Sequence, residues 1–457
     1  MNTPIADFVK KYIDSDTTRF HMPGHKGHVF FGWEPYDITE IEGADVLYHG
    51  NGIIAESEKN ATELFGSGLT HYSTCGSTSC IKAMLAILVM EQKKEKKPSE
   101  RPYILAARNV HRSMIDACAL LDLDVEFIKT QDSQSRCSSV VQASDLQKTL
   151  EEKETLPLGV YVTSPDYMGQ ITDIAGLSAV CRMFALPLLV DNAHGAYLHF
   201  LENAKHPMDL GAAMCCDSAH KTLPALTGAA YLHIHTDYCE RFAPYAAQAL
   251  SLFCTTSPSY LIMQSLDFCN AYMASDYRKD LKELVALTET YRQELRNRGI
   301  AVWDSEPLKI VIDTAKNGYT GDEIAEEMRK FQIECEYADG QNVVLMVTVE
   351  NSKKDWERLK QWGKSTVLAQ CPKSALPYPS VSVRENSRKL TIREAVFAPA
   401  ETIPVTEAAG RICASQTVAC PPAIPIAISG EIISSEMIEE FQKFGIQEVS
   451  VVKEEPL

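Results

Sequence analysis

Between about residue 60 and residue 235 the chain alternates short apolar, β-branched runs with stretches whose apolar residues recur every three or four positions. Parallel strands need long crossovers and are buried on both faces, so this alternation reads as a mostly parallel sheet covered by helices. Strands are expected at residues 103–107, 125–129, 158–163, 186–191, 213–217 and 229–234. Ile81, Met84, Leu85, Leu88 and Val89 lie at helical spacing and mark one buried face of a helix ahead of them. The class is α/β, and 457 residues at 45% hydrophobic content suffice for one large core with smaller lobes.

Four segments are expected: an amino-terminal arm over 1–30, a large domain over 31–285, a small α/β domain over 286–370 and a carboxy-terminal domain over 371–457. The small domain reads as strands at 308–312 and 343–349 with helices at 281–298, 322–331 and 354–362. The charged stretch 91–101 has no apolar periodicity and contains Pro98, the mark of a solvated helix end and loop. A Pro- and Ser-rich passage over 371–382 reads as a linker, followed by strands at 423–428 and 447–452 and a helix at 435–444.

Several classes of function fall away. No run of about 18 apolar residues occurs, and the amino terminus lacks the basic-then-apolar layout of a signal peptide. The 14 cysteines then read as thiols of a reducing, cytoplasmic compartment. Their spacings, such as Cys75 to Cys80 and Cys413 to Cys420, do not suit a zinc site, so no metal is expected. A formal charge of −17 opposes nucleic acid and anionic membranes, and its plain use is solubility.

Three local patterns occur in an order that one cofactor explains. Thr74-Cys75-Gly76-Ser77-Thr78-Ser79 precedes the amphipathic helix, where free N–H groups, hydroxyls and the helix dipole favour an anion such as phosphate, although Ser and Thr are also ordinary caps. The run 188–194 ends a buried strand on Asp191-Asn192-Ala193-His194, and ligands of open α/β sheets sit beyond such carboxyl ends. An Asp there can hold a pyridinium nitrogen protonated, or simply begin a loop. Asp217-Ser218-Ala219-His220-Lys221-Thr222-Leu223-Pro224 ends another apolar run. A lysine among small and apolar neighbours can be desolvated, which lowers its pKa and lets the neutral amine attack an aldehyde. A lone lysine is more often a solvated surface charge.

The segments 20–27 (Phe-His-Met-Pro-Gly-His-Lys-Gly) and 76–79, with Asn109-Val110-His111-Arg112-Ser113, Asp191-Asn192-Ala193-His194-Gly195 and the stretch 218–227, resemble the signatures of the ornithine/lysine/arginine decarboxylases over nearly the whole chain. The resemblance implies an aspartate-aminotransferase-like, fold type I architecture. Its parts are a large, mostly parallel seven-stranded sheet domain, a smaller α/β domain and a carboxy-terminal lobe. It implies pyridoxal 5'-phosphate as cofactor. Lys221 forms the Schiff base, Asp191 pairs the ring nitrogen, His111 stacks on the ring, and Ser77, Thr78 and Ser218 hold phosphate beside Gly76. Ala193, His194 and His220 are nearby contacts. Thr255 and Ser257, in the segment 255–260, look like the residues that reach a neighbouring subunit's phosphate. A homodimer or tetramer with shared active sites is implied, of the short form that lacks an extra amino-terminal domain.

The implied reaction releases carbon dioxide from an amino acid, with Lys221 or His111 returning a proton to Cα. A basic substrate is implied, arginine before lysine and ornithine. Its distal cation needs a carboxylate, for which Asp45, Asp339 and Glu431 are candidates, each more often a surface acid. Transamination or lyase chemistry is the alternative, with Arg393 as the arginine to hold an α-carboxylate; another is a cofactor-binding member with little turnover. Asp166, Met168, Gly228 and the segment 419–425 depart from the family pattern, which suits an altered substrate pocket or inefficient turnover.

Overall fold

The computed structural model describes residues 1–92, 101–130, 135, 137–376, 387–418 and 423–454. Most of the expected loop at 91–101, part of the expected linker at 371–382 and residues 419–422 lie outside the described residues.

Seven strands form the main sheet: β1 (Leu69–Ser73), β2 (Tyr103–Ala106), β3 (Asp124–Phe127), β4 (Val160–Thr163), β5 (Leu188–Asp191), β6 (Met214–Asp217) and β7 (Ala230–Ile234). Their order is β1-β7-β6-β5-β4-β2-β3, with β7 antiparallel to both of its neighbours. Strands β2 to β7 fall where the apolar runs place them. The seventh, β1, has no apolar run because its inward side chains are polar. Thr70 is satisfied by Ser67 and His233, and Tyr72 by Ser57 and Asn270. Buried groups paired in this way cost little, but they erase the hydrophobic signature of a strand.

Helices in the first part of the chain are α1 (Pro4–Asp14), α2 (Ile53–Phe65), α3 (Gly76–Gln92) and α4 (Arg112–Leu121). The expected single buried face of α3 is too narrow. Ala83, Ala86 and Ile87 are buried as well, because α3 packs between the sheet strands β6 and β7 and the helix Cys239–Ser251. Each large side chain buried there contributes about 1.5–3 kcal/mol of transfer free energy.

The chain divides into two compact units, one of Met1–Lys97 with Ile174–Lys282 and the other of Pro98–Asp173 with Glu283–Leu457. The first carries β1, β5, β6, β7 and α1 to α3. The second carries β2, β3, β4 and α4, and a three-stranded sheet of β8 (Lys309–Asp313), β9 (Tyr337–Ala338) and β10 (Asn342–Met346) in the order β8-β10-β9. It also holds β11 (Ala400–Pro404) against β14 (Glu448–Val452), and β12 (Thr417–Val418) against β13 (Pro425–Ala427). Ile426, Ile433, Met437, Phe441, Val449 and Val451 make a separate apolar core for this last region, with the helix Ser435–Lys443 across it.

Two of the residues that depart from the family pattern lie inside the second unit. Met168 is wholly buried among Tyr167, Val311, Tyr337, Val344 and Ile424. Asp166 is buried too, and the amine of the buried Lys309 donates to its backbone carbonyl at 2.8 Å. Its side chain meets Gln170 N–H through Oδ1 at 2.9 Å.

Candidate active site

Strands β5 and β6 pair in parallel, with Asp191 opposite Cys216 at the carboxyl end. That end is where an open α/β sheet receives ligands, since the chain leaves both strands there and exposes loop atoms and helix starts. Beyond β6 come Ser218 and the short helix Ala219–Thr222, which carries His220 and Lys221. Beyond β5 come Asn192, Ala193 and His194. The half-buried Lys221 extends its amine to 3.0 Å from His194 Nε2.

Asp191 is 3% exposed. Its Oδ1 accepts the Ala193 N–H at 3.2 Å and lies 3.8 Å from the Cys216 thiol, and among the described residues no cation pairs with it. A buried carboxylate without a counter-charge is costly, so this position suits a ligand that brings a positive charge.

The third component is the start of α3. Its first-turn N–H groups have no carbonyl of their own helix to reach and face outward along the axis. Ser218 Oγ donates to Ser77 Oγ at 2.8 Å, which joins the segment before Lys221 to this helix start. Thr74 Oγ1 is buried there without a hydrogen bond among the described residues. Gly76 has φ +70 and its N–H donates to the Gly228 carbonyl at 2.8 Å. Gly228 has φ +98, and a Cβ on it would come within 3.1 Å of the Thr74 carbonyl oxygen. A glycine at 228 therefore suits the close approach of the lysine-bearing segment to the turn at residues 74–76.

A cation-seeking carboxylate, an anion-seeking helix start with spare hydroxyl capacity and a half-buried amine fit the three ends of pyridoxal phosphate. Thr78 is exposed in the first turn of α3. His220 Nδ1 lies 2.9 Å from the Ala229 carbonyl, and burial, with the neighbouring Lys221 charge, pushes its pKa down. Thr255 and Ser257 are exposed, Thr255 Oγ1 accepting the Ser257 N–H. In the second unit His111 caps α4, its Nδ1 accepting the Ser113 N–H at 3.2 Å and meeting the Ser113 hydroxyl at 2.8 Å.

The four candidates for substrate charge have partners within their own units. Asp45 accepts the N–H groups of Gly52, Ile54 and Ala55 and so anchors the start of α2. Asp339 accepts from Gln341 and Asn342 N–H and from the Tyr337 hydroxyl; burial raises its pKa despite them. Glu431 is buried, accepts the Ile428 N–H and lies 3.9 Å from the Arg108 guanidinium. Arg393 donates to the carbonyls of Ala119 and Leu120 at the end of α4.

Sequence reasoning passed over one cluster in the first unit. Asp217, His206 and His233 are fully buried, and their donor atoms lie within 4.8 Å of one another. Burial would raise the Asp217 pKa, but the His206 and His233 rings outweigh it and hold the group well below the usual carboxylate range. Burial pushes the His233 pKa down. The three residues sit in separate elements, so no sequence spacing could have linked them.

The sheet order and the cluster at its carboxyl end define the fold of the fold type I pyridoxal-phosphate enzymes. The chain superposes on a lysine decarboxylase from Francisella novicida with TM-score 0.79 and 17% identity, over 99% of this chain and 81% of that one. The constitutive lysine decarboxylase of E. coli gives TM-score 0.78 and 16% identity, over 99% and 82%. The chain belongs to the Orn/Lys/Arg decarboxylase family: the major-domain pattern matches residues 3–316 and the carboxy-terminal-domain pattern residues 374–447. It is a decarboxylase by that membership. A curated relative, the arginine decarboxylase of Bacillus subtilis (strain 168), is 29% identical over 471 residues, covering 95% of this chain and 92% of that protein.

Proposed function

We propose that this chain converts a basic L-amino acid, arginine ahead of lysine and ornithine, to the corresponding amine and carbon dioxide, with pyridoxal 5'-phosphate held on Lys221. The observation that carries this reading is the buried Asp191 carboxylate, with which no cation among the described residues pairs, one strand away from an amine 3.0 Å from an imidazole. The preference for arginine rests on relatives named arginine decarboxylase, such as that of Bacillus subtilis.

The cofactor supplies an electron sink for the pair left behind as carbon dioxide departs. Asp191 holds a proton on the ring nitrogen, and Ser77, Thr78 and Ser218 receive the phosphate at the start of α3, where Gly76 admits the turn. His194 orients the Lys221 amine, with Ala193 and His220 beside it. Lys221 or His111 returns a proton to Cα of the substrate.

The working form is a cytoplasmic homodimer or tetramer in which Thr255 and Ser257 serve a neighbouring subunit. Exposed Phe31 (88%), Phe30 (77%) and Trp33 (67%), neighbours along the chain, support a partner-covered surface, since adjoining aromatics in water mark interaction sites. No helix among the described residues is long and apolar enough to cross a membrane.

The test is incubation of the cofactor-loaded protein with single basic amino acids, measuring gas and amine. Stoichiometric keto-acid without carbon dioxide would end the decarboxylase reading. A Lys221→Ala variant that kept a dialysis-resistant visible band would end the assignment of Lys221.

A further inference from the structure

Strands β5 and β6 stop pairing just where the site begins. The last backbone bond between them runs from Asn192 N–H to the Cys216 carbonyl at 3.0 Å. One chain then leaves toward His194 and the other toward Lys221. The Asp217 side chain bridges that divergence: Oδ1 accepts from Asn192 Nδ2 at 2.6 Å. Oδ2 lies 2.9 Å from His206 Nε2 and 3.2 Å from His233 Nε2.

The second nitrogen of each ring is already engaged. Met208 N–H donates to His206 Nδ1 at 3.3 Å, and His233 Nδ1 meets the Thr70 hydroxyl at 2.8 Å. The Asp217 carboxylate can only accept, so both Nε2 atoms carry the protons aimed at it, and the group is a hydrogen-bonded carboxylate clamp and not a set of free metal ligands. Filling space between strands calls for apolar groups; a wholly buried carboxylate with three directional donors instead fixes direction and distance.

We propose that Asp217, held by His206, His233 and Asn192, is a positioning residue that sets the Asp191 segment relative to the Lys221 segment. This rests on the reading of Lys221 and Asp191 as cofactor residues. Without the carboxylate, Asn192 and both imidazoles lose their acceptor together, and the two segments are no longer tied at their point of divergence.

The experiment compares the cofactor-loaded wild type with Asp217→Asn, His206→Gln and His206→Leu, reading the pH midpoint of the visible band, kcat, KM and thermal unfolding. Asp217→Asn is expected to move the midpoint by more than about half a unit and lower kcat about tenfold or more, with KM within about twofold. His206→Gln, whose amide N–H replaces Nε2–H, should stay within about threefold of wild type, while His206→Leu follows Asp217→Asn. In the cofactor-free protein, nitrogen NMR should show both rings protonated at Nε2. A folded Asp217→Asn with the wild-type midpoint and kcat overturns the proposal. If Asp217→Asn does not fold, the two His206 variants decide, and equal behaviour of the two overturns it. Absence of a visible band in the loaded wild type would instead strike the cofactor reading itself.

Discussion

The Lys221 amine and the His194 imidazole stand 3.0 Å apart, the amine on the segment after β6 and the imidazole on the segment after β5. The pair holds the amine in one direction within a half-buried site. On the proposed reading of Lys221 as the cofactor's anchor, replacing His194 with Ala is expected to lower kcat about 10- to 100-fold while the visible band persists, since only the orientation of the amine is lost. Stopped-flow spectra and steady-state rates check this, and an unchanged kcat would remove His194 from the site.

Gly228→Ala should weaken both the fold and cofactor retention. At φ +98 a side chain is strained, and its Cβ would press on the Thr74 carbonyl at 3.1 Å. A loss of about 1–3 kcal/mol is expected in chemical denaturation, together with a higher cofactor dissociation constant. Loss of stability with unaltered cofactor affinity would mean the glycine serves the fold alone.

The pH dependence of stability should carry the signature of Asp166. Burial raises its pKa to about 6, against which the Ser138 hydroxyl, the Gln170 N–H and Lys309 act only in part. A carboxylate raised on folding binds protons better in the native state, so its contribution is complete below the unfolded value near 4 and is lost as pH rises through about 6. Asp166→Asn should therefore be more stable than wild type by about 1–3 kcal/mol at pH 7.5 and gain little at pH 4.5. Denaturation curves at both values decide; an equal difference at the two pH values would refute the assignment.

Asp45→Ala separates a capping role from substrate binding. Its carboxylate anchors the start of α2 through three N–H groups, and loss of such a cap costs about 1 kcal/mol. The expected outcome is a lower Tm with KM for arginine unchanged. A raised KM at constant Tm would make Asp45 the receptor for the substrate's distal cation.

Periodicity was informative where burial is apolar. Strands β2 to β7 follow their apolar runs, and the helix Gly321–Lys330 begins at a capping box of Thr320 and Glu323 close to the expected 322–331. The signal failed where burial is polar, as in β1, or all-round, as in α3. It failed as well where a partner is remote. Helix α1 starts without a cap from Thr3, and its Ile5 and Ala6 N–H groups are received by Asp267, about 260 residues away.

What the amino-acid order determined by itself is local: which runs become strands, where a Gly-Ser-Thr helix start lies, and which stretch carries a lysine after a strand end. These follow from side-chain size, period and backbone freedom within a few residues. Only the tertiary structure decided that Asp217 holds two histidines and Asn192, that Gly228 lies close against the Thr74 carbonyl, and that Asp45, Glu431 and Arg393 bind protein groups. The reason is that hydrogen bonds and burial act over a few ångströms in space, whatever the distance along the chain.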